Sequence, residues 1–182
     1  MKRTKKTVIL LMGPSGVGKT ELGKRLQKRG IPELVSHTTR PMRVGEIPEI
    51  SYHFISVEEF QKLDKLESNF YNGNYYCLST EEVYSKLEAY DVVYAVVEKH
   101  GVEQIKEKLG DLVSVVYLRS SLETLENRMR ERGDNEENIQ KRLNLCIENK
   151  ELELEEYADV IFENNDKTLE ELTEKVAKHF GL

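Results

Sequence analysis

The sequence predicts an α/β fold: a parallel sheet flanked by helices, with a small inserted subdomain and a helical lid. Three observations predict it. Short apolar runs recur at Val8–Met12, Val92–Val97, Val113–Leu118 and Val160–Phe162, each followed by a helical pattern, as parallel strands buried on both faces require. Between Ser36 and Tyr90 the pattern changes to short alternating segments. From Leu122 to Tyr157 the chain is highly charged and helical, interrupted at Gly133-Asp134-Asn135.

The first run, Val8 to Met12, is a buried strand, and Glu21 to Arg29 reads as a helix with Leu22 and Leu26 on one face and Gly30 as its stop. Between them lies Gly13-Pro14-Ser15-Gly16-Val17-Gly18-Lys19-Thr20, the spacing of a P-loop. Its glycines allow backbone angles that turn several N–H groups inward, and the helix beginning there adds partial positive charge. Lys19 reaches the outer phosphates of a bound nucleoside triphosphate and Thr20 supplies a hydroxyl for Mg2+. The sheet is therefore of the P-loop NTPase type, with its chemistry at the carboxyl ends of the strands.

The inserted segment, residues 37–90, contains Tyr52-His53-Phe54-Ile55 and Tyr75-Tyr76-Cys77-Leu78-Ser79, with Asn72-Gly73 as a hairpin turn between strand candidates. A helix is expected over Glu58–Leu66. Residues 126–145 form the lid region, an arginine-rich helical pair beside the P-loop.

Bulk properties bound the function. A chain of 182 residues can bury one substantial core, so a single domain over residues 1–182 is expected. A net charge of -6 argues against nucleic-acid binding, which needs a basic face. Cys77 and Cys146 are too few for a disulfide framework and lack metal-site spacing, so both read as reduced thiols. The start, Met1 to Lys6, is basic, but the apolar run after it stops at Gly13, too short for a secretory core, and no later run could span a bilayer. A cytoplasmic protein is expected, with small-molecule nucleotides as partners, neither nucleic acid nor membrane, and a monomeric or homodimeric state.

Val35-Ser36-His37-Thr38-Thr39-Arg40-Pro41-Met42-Arg43-Val44-Gly45-Glu46, followed by Tyr52-His53-Phe54 and Gly73-Asn74-Tyr75-Tyr76, resembles the acceptor site of the guanylate kinase family. With the P-loop, Gly101-Val102-Glu103-Gln104-Ile105 and the late arginine spacing, the resemblance runs from about Val8 to about Leu172. It implies ATP-dependent phosphorylation of GMP or dGMP, with the inserted subdomain binding the nucleoside monophosphate. Ser36, Arg40, Arg43, Tyr52 and Tyr76 then surround the monophosphate and ribose end; two guanidinium forks and several hydroxyls also suit a phosphate dianion on chemistry alone. Glu67 falls where the family places a carboxylate against guanine, whose ring N–H and amino group it can accept together. Arg128, Arg132 and Arg142 match the family's lid and post-lid arginines, which bring positive charge onto the transferring phosphoryl group. Glu98 takes the place of an acidic residue near acceptor and magnesium. Asn164 or Asn165 is expected either to meet the adenine of ATP or to cap a turn. Arg130 and Lys141 read as solvated charges, and His37, His53, His100 and His179 as structural.

Two departures are visible. Where the family has a hydroxyl residue contacting the guanine carbonyl, this chain has Cys77-Leu78, and leucine cannot donate. At Ile47-Pro48-Glu49-Ile50-Ser51, proline and glutamate stand where an Asp and a Gly usually precede the tyrosine. Alternatives stay open: another phosphate acceptor such as ribose 1,5-bisphosphate or a different nucleotide, or a non-catalytic binding module, which retention of Lys19, Thr20 and the lid arginines disfavours.

Overall fold

The computed structural model describes residues 5–165 and 168–182, so most of the basic start, residues 1–4, lies outside the described residues. Four parallel strands form the central sheet: β1 (Thr7–Met12), β6 (Val92–Val96), β7 (Val113–Arg119) and β8 (Val160–Glu163), in the order β6-β1-β7-β8. All six residues of β1 are buried, because strands pair with both its edges and helices cover both its faces.

The period-two alternation of β1 divides the core. Ile9 and Leu11 face one cluster with Leu22 and Leu26 of α1 (Lys19–Lys28), Leu125 and Met129 of α5 (Leu122–Glu131), Ile139 and Leu143 of α6 (Glu136–Glu148), and Leu172 and Val176 of α7 (Leu169–Phe180). Val8, Leu10 and Met12 face the other, with Val83 and Leu87 of α3 (Thr80–Ala89) and Val102 and Ile105 of α4 (Lys99–Leu109). The α1 helix comes closest to the sheet at Gly23, where a methyl group would lie 2.7 Å from the Tyr94 ring.

A second sheet of order β3-β2-β5-β4 is built from β2 (His37–Thr38), β3 (His53–Phe54), β4 (Lys65–Tyr71) and β5 (Asn74–Ser79). The β4–β5 hairpin turns at Asn72 (φ 47) and Gly73 (φ 77), both left-handed, as Asn-Gly favours in a two-residue loop. One expectation is corrected here. The helix expected over Glu58–Leu66 is α2 (Val57–Lys62), opened by a capping box in which Ser56 and Glu59 bond each other's backbone amides and ended by the extended Leu63. Leu66 and Glu67 lie on β4, Leu66 at a register shift between Lys65 and Glu67, because the backbone of this segment is taken up by pairing with β5.

Neither thiol is bonded. Cys77 and Cys146 are free and buried, and burial pushes them up to about 12 and about 11 respectively. Among the described residues no helix is long and apolar enough to cross a membrane.

Candidate active site

The P-loop leaves the carboxyl end of β1 and enters α1. Gly13 must be glycine on two counts: its φ is 149, and a Cβ there would sit 2.5 Å from the Leu118 carbonyl oxygen of the neighbouring strand. Gly18 caps α1 in the left-handed region, and its N–H-rich turn opens toward a cavity of about 570 Å³ lined by Gly16, Gly18, Lys19, Thr20, Arg128, Arg132 and Asn164 among others. Lys19 Nζ bonds the Gly13 carbonyl and, at 3.0 Å, that of Pro14. Burial lowers its pKa, while Glu151 and Glu98 pull the other way, so the ammonium is held by backbone oxygens and by two nearby carboxylates.

Asn164 is 4% exposed, and both ends of its amide are engaged. Nδ2 donates to the Val17 carbonyl at 2.8 Å, and Oδ1 accepts from Arg128 at 3.3 Å. It lines the donor cavity as a brace between the P-loop and α5. Asn165, which follows β8, caps the turn between β7 and α5: its Oδ1 accepts from the Ser120 hydroxyl (3.1 Å) and the Ser121 N–H (2.8 Å). Arg128 also reaches the Val17 carbonyl (3.4 Å). Arg132 and Arg142 converge on Asp134, Arg132 through a two-point ion pair and Arg142 at 3.5 Å, pinning the break between α5 and α6. Arg130 pairs with Glu126 and Glu136 at the surface, as expected of a solvated charge.

The second cavity, about 420 Å³, is lined by Ser36, Tyr52, Glu67, Tyr76, Leu78, Glu98 and Gln104 among others. Strand register explains the convergence. Thr38 pairs with Phe54 and Tyr76, Asn69 with Tyr76, and Glu67 with Leu78, so alternate residues of four strands share one face. Tyr52 and Tyr76 meet edge to face with ring centroids 6.0 Å apart. Arg40 is 8% exposed and packs against Tyr52, its guanidinium carbon 5.5 Å from the ring centroid. Glu46 holds it at 2.6 Å and takes the Arg43 N–H at 2.7 Å, so one carboxylate organises the arginine loop. Neither arginine is among the cavity-lining residues: Arg40 is buried against Tyr52 and Glu46, and Arg43 is exposed.

Glu67 lies over the first turn of α4, with Oε2 3.7 Å from where a methyl on Gly101 would be. Burial raises its pKa, the Leu78 backbone amide opposes this, and Glu98 adds to the rise. Glu98 itself stands at the N-cap position of α4, with no capping hydrogen bond from its side chain. A third cavity, about 640 Å³, contains Gly13, Ser15, Lys19, Glu98 and Glu151. It adjoins the other two through shared residues, Lys19 on the P-loop side and Glu98 on the other.

The Pro48-Glu49 departure has a local explanation. Glu49 adopts φ 65, the left-handed conformation that a glycine would take, and its carboxylate bonds His53 Nδ1. His53 Nε2 meets Glu82 at 3.1 Å, and His37 stacks on His53 at 4.4 Å, so these histidines brace the second sheet. Leu78 is 1% exposed and belongs to the core at the cavity floor.

Sequence reasoning missed Glu151, whose carboxylate accepts the Ser15 N–H at 3.3 Å. It also missed Gln104. Glu151 had no motif to mark it, whereas Gln104 sits three residues after Gly101 and hence on the same helical face.

A glycine loop between a central parallel strand and its helix, a lysine at that loop, an arginine-bearing helical pair beside it and an adjoining second cavity define a P-loop phosphotransferase fold and site. The guanylate kinase family model matches residues 4–180. A guanylate kinase of Nostoc sp. is 40% identical over 167 residues, covering 87% of this chain and 82% of that one. One from Prochlorococcus marinus is 38% identical over 185 residues, covering 98% of each. The chain belongs to the guanylate kinase family. The crystal structure of guanylate kinase from Anaplasma phagocytophilum superposes with a TM-score of 0.69 at 22% identity, covering 98% of this chain and 86% of that one. A shikimate kinase from Bacteroides thetaiotaomicron gives 0.53 at 19% identity, so the fold alone does not name the acceptor.

Proposed function

We propose that this chain transfers the γ-phosphoryl group of ATP to GMP or dGMP, giving ADP and GDP or dGDP. The observation that carries the reading is the continuity of the three cavities: Lys19 borders the donor side, Glu98 borders the acceptor side, and both line the space between. That arrangement lets two nucleotides meet phosphate to phosphate. Family membership supports the same reaction.

The acceptor oxygen of a nucleoside monophosphate is already ionised, so the protein has to position and neutralise rather than deprotonate. Lys19 and the backbone N–H groups of residues 15–20 hold the β- and γ-phosphates; Pro14 has none to give. Ser36, Arg40, Arg43, Tyr52 and Tyr76 hold the acceptor phosphate, with Arg40 exchanging Glu46 for it, and Glu67 accepts the guanine ring N–H and amino group. Residues 126–145 act as the lid. Its closure moves Arg132 and Arg142 from Asp134 onto the transferring group and excludes water.

Mg2+ suits this donor set. The described residues contain no group of three or more His, Cys, Asp or Glu that could hold a metal. Mg2+ characteristically binds substrate phosphates, waters and one or two protein oxygens; the Thr20 hydroxyl would provide one, and Glu98 would contact a metal-bound water or the acceptor. When bound, it neutralises charge between the β- and γ-phosphates.

A coupled ADP-release assay with GMP, dGMP, AMP, UMP and ribose 1,5-bisphosphate tests the reading. GMP or dGMP is expected to lead, and inactivity with every nucleotide would sink it.

A further inference from the structure

Guanine, a 2-amino-6-oxopurine, offers a binding site three features on one edge: an amino group and a ring N–H, which donate, and the carbonyl oxygen, which accepts. Glu67 answers the first two only. A carboxylate cannot donate when ionised, and Leu78, at the register position facing Glu67, has no polar atom. The carbonyl would then be buried without a partner, which is costly.

Gln104 stands where a donor is needed. It lies on α4 three residues after Gly101, the residue Glu67 Oε2 lies against, and it lines the same cavity as Glu67. Its amide orientation is fixed by the sheet. β4 is an edge strand, and the N–H of Ser68, the residue next to Glu67, bonds Gln104 Oε1 at 3.1 Å. Because a backbone N–H can only donate, the oxygen must face Ser68, and the two Nε2 hydrogens are the part of the amide left over. No group among the described residues takes them. The cavity's other amide, Asn69, pairs with Tyr76, one step along β4 toward the hairpin turn and away from Glu67. Gln104 thus covers an unpaired strand edge with its oxygen and presents two donors beside the carboxylate.

We infer that Gln104 is a specificity-determining residue: its Nε2 donates to the 6-oxo group of the acceptor purine, supplying the hydrogen bond that Leu78 cannot. This rests on the guanine-nucleotide reading above and adds the selection of a 6-oxo over a 6-amino purine. Glu67 and Gln104 together present the acceptor–donor pattern complementary to guanine, held in register by the Ser68 bond.

The test uses the full chain and two acceptors, GMP and 6-thio-GMP, which keeps both donors but replaces the carbonyl oxygen with the weaker acceptor sulfur. Two variants are compared with wild type: Gln104→Glu, which keeps an oxygen for the Ser68 N–H but loses the donor, and Gln104→Met, which keeps the length without a charge. Wild type is expected to favour GMP by about tenfold in kcat/KM, the size of one hydrogen bond to a substrate carbonyl. Both variants should lose about tenfold in kcat/KM for GMP, through KM rather than kcat, and bring the two acceptors to within about twofold. Thermal unfolding of each variant separates this from loss of fold, which would lower kcat/KM for both acceptors alike and leave their ratio unchanged. Equal use of both acceptors by wild type, or a ratio unchanged in a folded variant, would overturn the inference. A wild-type chain inactive on GMP would instead overturn the guanylate kinase activity itself.

Discussion

The carboxylate of Glu151 takes a hydrogen bond from the Ser15 N–H, one of the P-loop amides that would otherwise face a triphosphate, and it adds negative charge beside Lys19. Its backbone is held in turn, since the Tyr117 hydroxyl donates to the Glu151 carbonyl at 2.7 Å. A triphosphate entering this loop has to displace the carboxylate from the amide and replace it at the lysine. Replacing Glu151 with Gln removes the competing charge, so Glu151→Gln is expected to lower KM for ATP several-fold with little change in kcat. Initial-rate kinetics at saturating GMP would measure this, and an unchanged or higher KM would show that Glu151 does not compete with the nucleotide. Lys19 and Thr20 were legible in the sequence because a P-loop fixes them at set distances from its glycines. Glu151 was not: it is one acid among many between Glu148 and Glu156, and only the left-handed turn at Lys150 (φ 52) directs it toward the P-loop.

At the scale of elements, the tight seam is between α1 and β6. Gly23 faces the Tyr94 ring, which is 1% exposed and tethered through its hydroxyl to Glu33 at 3.0 Å. An added methyl cannot push that ring aside cheaply. Overpacking of this kind costs about 1–3 kcal/mol, against about 1 kcal/mol gained from alanine's better helix propensity. Gly23→Ala should therefore be destabilising by up to about 2 kcal/mol, lowering Tm by about 2–4 °C for each kcal/mol lost in a domain of this size. A thermal melt checks this, and a Tm equal to or above wild type would mean the ring relaxes. The buried strands were readable as apolar runs because parallel strands covered on both faces carry no polar alternation to confuse them. The stretch after α2 was misread because Lys65–Tyr71 is an edge strand with mixed polarity, whose identity comes from pairing with β5 rather than from its own pattern.

At the scale of the molecule, the order of β-strands was the part least visible in the sequence, because period and propensity say which segments are strands but not which are neighbours. The parallel α/β class, the inserted sheet and the helical pair were legible; the order β6-β1-β7-β8 and the chain of adjoining cavities depend on long-range packing. The same order governs how the molecule is assembled in time. β1 begins at Thr7 but pairs with segments starting at Val92 and Val113, so the strand that carries the P-loop has no partner until half of these 182 residues have been made, and its second only later. Contacts of such long sequence separation form slowly, whereas β4 and β5, joined by two residues, close locally. Pulse-labelled hydrogen exchange during refolding should find the amides of Asn69–Tyr76 protected before those of Val8–Met12; the reverse order would show that β1 is recruited early. A P-loop that leaves the ribosome before every strand it needs would then be among the last parts to take shape, and a nascent chain would remain unable to grip a nucleotide until its sheet is nearly whole.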